Sequence, residues 1–237
     1  MNLDSRDGGG LFSLTGVLKV ESGANVEIKN INNFVINGLQ GAYISVQKGG
    51  TLKINNVDSL INISSDTGAM GIQNLNSTIC IDADVYNYDK NSLEGGGNFT
   101  QISNNAETTI DGSFYNIGLN SGVQGREEAI VQVYNGKFNV TGDFYNGKNN
   151  PDNISDYLGA GVLSATNGAL ITVNGNFISD AQGEKFLNNA NLAVKGKFDV
   201  SRTDIYLKEI IIMHLITTKT ITILTTITTI AIILLIQ

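Results

Sequence analysis

The residues best suited to chemistry are two aspartates, Asp82 and Asp84, which are separated by a single alanine. On one extended strand their side chains would share a face, about 7 Å apart. Carboxylates at that separation can serve as the acid and the base of inverting glycoside hydrolysis. No arginine, lysine or histidine cluster accompanies them, and a solvated strand edge explains the spacing more simply. We therefore expect no catalytic residues and a non-enzymatic protein. The weak carboxylate pair supports one alternative, a β-helix enzyme that processes polysaccharides.

Two tyrosines follow the aspartates at alternate positions, Tyr86 and Tyr88. With Asp84 and Asp89 they would form a sugar-binding or protein-binding patch on an exposed strand. The ordinary alternation of a β-strand produces the same pattern, and that is the interpretation we prefer.

The rest of the sequence offers little further chemistry. His214 is the only histidine and Cys80 the only cysteine, which removes an intrachain disulfide, the usual general base and most metal sites. We interpret Cys80 as a small buried hydrophobic residue. The glycines at 95–97 lack a following Lys-Ser/Thr and form a turn rather than a phosphate loop. The net charge of −7, without any run of lysine or arginine, disfavours nucleic acid. We expect neither a metal nor a cofactor.

The elements that would position these residues are indicated by a recurring phrase: a glycine or asparagine turn, an alternating apolar strand, then Gly-x-Phe. It ends at Phe114, Phe138, Phe177 and Phe198. The predicted strands carry apolar pairs at alternate positions: Val26/Ile28, Leu52/Ile54, Ile79/Ile81, Thr108/Ile110, Val131/Val133, Ile171/Val173 and Leu192/Val194. Successive pairs are 21 to 29 residues apart, except for 40 residues between Val133 and Val173. Such a repeat is typical of a stacked solenoid.

The pattern predicts an all-β protein, a single-domain right-handed parallel β-helix. No extended apolar helical face is present, and β-branched residues in period two favour strands. Residues 1–15 would form a lead-in or weak cap, 16–200 the repeats, and 201–237 an atypical tail rich in isoleucine and threonine. The long interval contains a turn-rich insertion, which we expect to present an interaction loop: Asn146, Lys148, Asn149, Asn150, Asp152 and Tyr157.

The tail differs in composition from everything before it, because asparagine and glycine disappear while isoleucine, threonine and leucine dominate. A membrane helix over 220–236 is a weak interpretation, since the stretch is short and rich in β-branched threonine. In an AT-rich gene, a shift of one base would turn such codons into asparagine codons. We therefore favour a frameshift near residue 200, and a truncated gene remnant stays open as a further alternative.

The segment 168–177, Gly-Ala-Leu-Ile-Thr-Val-Asn-Gly-Asn-Phe, resembles the passenger regions of autotransporter and haemagglutinin-like proteins of Gram-negative bacteria, as do 22–28 and 48–54. The resemblance implies a cell-surface or extracellular location for the full-length parent and adhesion to a host-cell or bacterial surface protein or glycan. Residues 1–10 do not read as a secretory signal, and the tail lacks the aromatic girdles of a membrane barrel. Unpaired strand edges at the ends of such a rod also predict end-to-end self-association.

Overall fold

The computed structural model describes residues 2–4, 10–38, 42–64, 70–90, 98–103, 106–119, 127–148, 159–179, 184–187, 190–199, 205–208, 210–216 and 230–236. Within these ranges the chain forms β-strands that pair in parallel with strands of the preceding and following coils. No described helix has the length and apolar character that a membrane span requires. The parallel pairing of strands from coil to coil confirms the predicted all-β parallel solenoid.

Each coil passes through three faces and then advances by one strand spacing, about 4.8 Å. The first face contains the beginnings of β4 (Asn25–Asn37) and β6 (Thr51–Ser64), together with β1 (Asn2–Asp4), β8 (Thr78–Ile81), β11 (Glu107–Ile110), β14 (Lys137–Val140), β17 (Leu170–Val173), β20 (Asn191–Val194), β23 (Ile210–Ile216) and β24 (Ile230–Ile236).

The second face contains the ends of β4 and β6, which run through both faces, together with β2 (Leu11–Leu14), β9 (Asp84–Lys90), β12 (Phe114–Leu119), β15 (Phe144–Lys148), β18 (Phe177–Ser179) and β21 (Phe198–Asp199). The third face contains β3 (Val17–Val20), β5 (Tyr43–Val46), β7 (Met70–Leu75), β10 (Asn98–Ser103), β13 (Glu127–Tyr134), β16 (Gly159–Thr166), β19 (Glu184–Leu187) and β22 (Ile205–Lys208). The first two faces form one 16-stranded sheet and the third an 8-stranded sheet.

Two corners use small residues for different physical reasons. Between the third and first faces the backbone is left-handed, with φ of 73° at Gly23, 71° at Gly49 and 54° at Asn76. Between the first and second faces Asn30 and Asn56 are also left-handed, with φ of 59° and 52°, whereas at Gly175 the constraint is space. A Cβ on Gly175 would lie 2.6 Å from the backbone carbonyl oxygen of Gly142, so the coils approach too closely there for any side chain.

Apolar side chains fill the interior in columns that run along the rod. The ring centroids of Phe114, Phe144, Phe177 and Phe198 are 5.2, 5.1 and 5.5 Å apart in succession, and all four side chains are buried. On the first face, Ile54 aligns with Ile81, Ile110, Val140, Val173 and Val194 in successive coils. Because neighbouring coils cover each other's apolar edges, the coils share one continuous core.

A column of asparagines also runs inside the rod, beneath the second face. Nδ2 of Asn62 donates to Oδ1 of Asn87 at 2.8 Å, Asn87 donates to Asn116 at 2.7 Å, and Asn116 donates to Asn146 at 2.8 Å. All four side chains are 0% exposed. We call this column the asparagine ladder. Hydrogen bonding from coil to coil offsets the cost of burying these amides.

One of the seven predicted strands lies on a different face from the other six. Val131 and Val133 lie in β13 on the third face, and the first-face strand of that coil is β14, with Phe138 and Val140 facing inward. β13 and β14 both alternate apolar with polar residues, and they lie on either side of a single corner. Alternation alone therefore cannot show which of the two belongs to the first face. With β14 in the column, the coil-to-coil separations there become 30 and 33 residues. The anomalous interval of 40 residues therefore disappears.

The parallel pairing extends beyond both predicted limits of the repeats. β1 and β2 lie within residues 1–15, yet both pair in register with β4. In the tail, β22 pairs with β19, β23 with β20, and β24 with β23. The described strands of residues 205–236 thus continue the stack, while the proposed frameshift stays a prediction about the gene.

Candidate functional site

The paired aspartates of the sequence prediction do not share one strand face. β8 ends at Ile81 and β9 begins at Asp84, so the corner between the first and second faces separates Asp82 from Asp84. Oδ1 of Asp84 accepts a hydrogen bond from the Ser113 N–H at 2.7 Å, and Oδ2 of Asp82 accepts a long one from the Asn56 N–H at 3.4 Å. Asp84 therefore ties one coil to the next.

The Asp84 hydrogen bond belongs to a repeated corner arrangement. Oδ1 of Asp143 accepts from the Asn176 N–H at 2.7 Å, and Oδ1 of Asn176 accepts from the Lys197 N–H at 2.8 Å. In each case a side-chain oxygen binds the backbone of the following coil. An amide serves this purpose as well as a carboxylate, so the corner does not require negative charge.

The predicted interaction loop is only partly within the described residues. Asn146 lies on β15 with its side chain fully buried in the asparagine ladder, so its predicted place in an exposed loop is wrong. Lys148 ends the same strand. The remaining predicted loop residues, Asn149, Asn150, Asp152 and Tyr157, lie outside the described residues.

Cys80 also differs from its prediction. It points outward from β8 between the buried Ile79 and Ile81, and its side chain is partly exposed. The prediction assumed that a small apolar residue in a strand faces inward, whereas the period-two register assigns it to the outer surface. Among the described residues, no group of three or more His, Cys, Asp or Glu side chains could hold a metal ion.

The outer surface of the second face carries four tyrosines, Tyr86, Tyr88, Tyr115 and Tyr145, which we call the tyrosine stripe. Tyr86, Tyr115 and Tyr145 align in successive coils. The rings of Tyr86 and Tyr115 are nearly parallel, at 6°, with centroids 4.8 Å apart. The rings of Tyr86 and Tyr88 lie 6.1 Å apart on one strand. All four side chains are partly exposed.

The tyrosine rings of the stripe pack against one another and along their strands. Offset stacking of Tyr86 on Tyr115 covers one face of each ring. A Cβ on Gly147 would lie 3.0 Å from the Tyr145 hydroxyl, so this ring extends along its strand over the glycine. The stripe therefore presents closely packed aromatic rings with their phenol hydroxyls.

Aliphatic side chains extend the stripe in both directions. Val35 and Ile61 precede Tyr86 in the same outward column, Ile63 precedes Tyr88, and Ile178 follows Tyr145. We call these four residues and the tyrosine stripe together the apolar band. The column from Val35 to Ile178 covers six coils, or about 24 Å along the rod.

The other two faces have a different outer surface. Their central outward columns carry mainly polar side chains, which are Glu27, Lys53, Thr109, Asn139 and Thr172 on the first face and Lys19, Gln73, Gln132 and Ser164 on the third. Apolar surface concentrated on one side of a protein often marks an interaction site.

Five aspartates lie along the border of the apolar band, at the corner between the first and second faces. We call them the aspartate border: Asp58, Asp82, Asp84, Asp111 and Asp143. Among the described residues none forms an ion pair with lysine or arginine, since the ion pairs found are Lys19–Glu21, Lys29–Glu27 and Lys197–Asp199. Their oxygens instead accept hydrogen bonds from neutral groups, such as Asn32 at Asp58 and Thr141 at Asp111, so no lysine or arginine of the described residues neutralises these charges.

The border and the stripe interact electrostatically. Burial raises the pKa of the Tyr86 phenol above its usual value, and the nearby Tyr115, Asp84 and Tyr88 raise it further. Burial also raises the pKa of Tyr88. Both effects disfavour a phenolate, so these hydroxyls stay protonated as hydrogen-bond donors at neutral pH.

Comparisons with protein-family models, with curated proteins and with solved structures found no match to this chain. The site must therefore be interpreted from its own geometry. Sequence reasoning found Tyr86 and Tyr88 but missed Tyr115 and Tyr145. A repeated triplet of an apolar residue, tyrosine and asparagine, at 85–87, 114–116 and 144–146, could have revealed all the aligned tyrosines.

Proposed function

We propose that this protein is a non-enzymatic, adhesin-like binding protein whose second face contacts a partner at a cell surface. The apolar band carries this proposal, because about 24 Å of partly exposed aromatic and aliphatic side chains lies along one outward column, whereas the central outward columns of the other two faces are mainly polar. Tyrosine is enriched at protein interfaces, where its ring packs and its hydroxyl donates a hydrogen bond. A cell-surface or extracellular location of the full-length parent belongs to the same proposal.

Binding of the fluorescently labelled chain to cultured epithelial cells and to bacterial cells tests this function. The double variant Tyr86→Ser/Tyr115→Ser removes the stacked pair, and we expect it to reduce cell binding strongly. Tyr134→Ser is the matched control, because Tyr134 is 46% exposed but lies on the third face. Equal cell binding by the wild type, the double variant and the control would refute the proposal.

The same preparation separates binding from catalysis. With Asp82 and Asp84 on different sides of a corner, we expect no cleavage of pectin or other polyuronides. Turnover that disappears in Asp82→Asn would instead establish the polysaccharide-processing alternative. Reducing-sugar release is the measurement.

A further inference from the structure

The chemical character of the partner can be inferred from the two features that meet on the second face. The apolar band offers a flat, partly dehydrated surface, and the aspartate border adds a row of negative charges along one side of it. A partner that fits both features must bury apolar groups and bring positive charge to one edge.

Other occupants fit less well. A sugar ring stacks on an exposed aromatic face, whereas Tyr86 and Tyr115 each have one ring face covered by the other. The negative charges of the aspartate border would repel an anionic membrane. Segments that bind such membranes carry lysine and arginine instead. A second copy would bring a second set of aspartates and a net charge of −7 to the contact.

On the basis of the proposed function, we propose that the second face binds a polypeptide segment that combines apolar side chains with lysine or arginine. Its apolar side chains pack on the apolar band, and its cationic side chains pair with the aspartate border. Charge-assisted hydrogen bonds to carboxylates give such a contact its orientation. Steering by the border also makes association faster at low ionic strength.

The backbone hydrogen bond at the corner position of Asp84 and Asp143 does not require a negative charge. Asn176 occupies the same corner position as Asp84 and Asp143 and accepts the same kind of backbone hydrogen bond, at 2.8 Å. Asp84→Asn/Asp143→Asn should therefore keep the corner intact and remove two charges. This double variant separates a role in binding from a role in structure.

Three nonapeptides provide probes for a fluorescence-anisotropy titration of the full chain. The first alternates lysine with valine, the second lysine with serine, and the third glutamate with valine. We expect measurable binding of the lysine–valine peptide only, and weaker binding as salt rises, because exposed charges are screened. Both Tyr86→Ser/Tyr115→Ser and Asp84→Asn/Asp143→Asn should weaken its affinity by about tenfold. Tyr134→Ser should leave its affinity unchanged.

Each contrary outcome has a definite meaning. Equal binding of the lysine–serine peptide would show that the apolar band contributes nothing to peptide affinity. Equal binding of the glutamate–valine peptide would show that the aspartate border plays no part in peptide binding. Binding of neutral cello-oligosaccharides, or a dimer that dissociates in the tyrosine variant, would identify another occupant. If no peptide binds while the tyrosine variant still loses cell binding, the partner chemistry is wrong and the proposed function stands. If cell binding does not depend on the tyrosines, the proposed function itself fails.

Discussion

The asparagine ladder should be a main source of stability in the middle of the rod, and Asn116→Ala tests this directly. Asn116 is 0% exposed, accepts from Asn87 at 2.7 Å and donates to Asn146 at 2.8 Å. Truncation to alanine removes both bonds. The side chain has no surface in contact with bulk water that could replace them.

The expected loss follows from these two contacts. A buried polar group deprived of its partner costs about 1–3 kcal/mol, so two broken contacts predict roughly 2–6 kcal/mol of unfolding free energy. Asn139→Ala is the control one coil away. Its side chain is partly exposed and donates to Glu107 at 3.1 Å, so water can replace the lost bond and the cost should be about 0.5 kcal/mol.

Urea unfolding followed by circular dichroism measures both variants, and amide hydrogen exchange shows whether the loss is centred on β9, β12 and β15. Opening of adjacent coils is expected, because a solenoid is stabilised mainly by contacts between neighbouring repeats. Equal costs for Asn116→Ala and Asn139→Ala would refute the ladder as a special source of stability.

Asn116→Asp makes the same test through pH. A protonated aspartic acid can accept from Asn87 and donate to Asn146, whereas a buried carboxylate has no proton for Asn146 and pays for desolvation. The folded pKa of the new side chain should therefore be raised above its unfolded value. Below about pH 3.9 the side chain is protonated in both states, and the unfolding free energy of the variant should be closest to that of the wild type. It should fall as the pH rises through the folded pKa. A difference from wild type that does not change between pH 3 and pH 8 would contradict this reasoning.

Two further predictions concern the corner and the binding face. Gly175→Ala should destabilise the protein by roughly 1–3 kcal/mol, because its Cβ would lie 2.6 Å from the Gly142 carbonyl oxygen, whereas Gly16→Ala, with no atom within 4 Å, should be nearly neutral in thermal unfolding. Asp84→Asn should lower the pKa of Tyr86 by removing a neighbouring negative charge, as measured by NMR titration of labelled tyrosine. An unchanged Tyr86 titration would mean that border and stripe are not electrically coupled.

The sequence predicts the architecture well because period-two alternation and corner residues are local signals. Ile54, Ile81 and Ile110 could be placed in one column before the structure, since like residues stack on like residues. Val133 could not, because an equally good strand lies on the far side of the next corner. Assigning a strand to a face depends on neighbouring coils, and this information is not local.

Asparagine shows the same limit most clearly. Asn76 has positive φ at a corner, Asn116 lies in the interior, and Asn139 faces outward. Composition and turn propensity predict only the first of these roles. The buried role needs a partner amide one coil away, so Asn146 was misplaced in a loop although its strand continues the ladder.

The ladder and the binding face are coupled by the geometry of a single strand. On β12 the inward Asn116 and the outward Tyr115 are adjacent, and the same pair recurs on β9 and β15. A slip of one residue would bring tyrosines into the core and asparagines to the surface, so the hydrogen bonds that fix the asparagine register also fix the tyrosine stripe. Asn116→Ala should therefore disturb the stacking of Tyr86 on Tyr115 as well as stability. The rod thus holds its tyrosine stripe in place through polar contacts buried on the other side of the same strands.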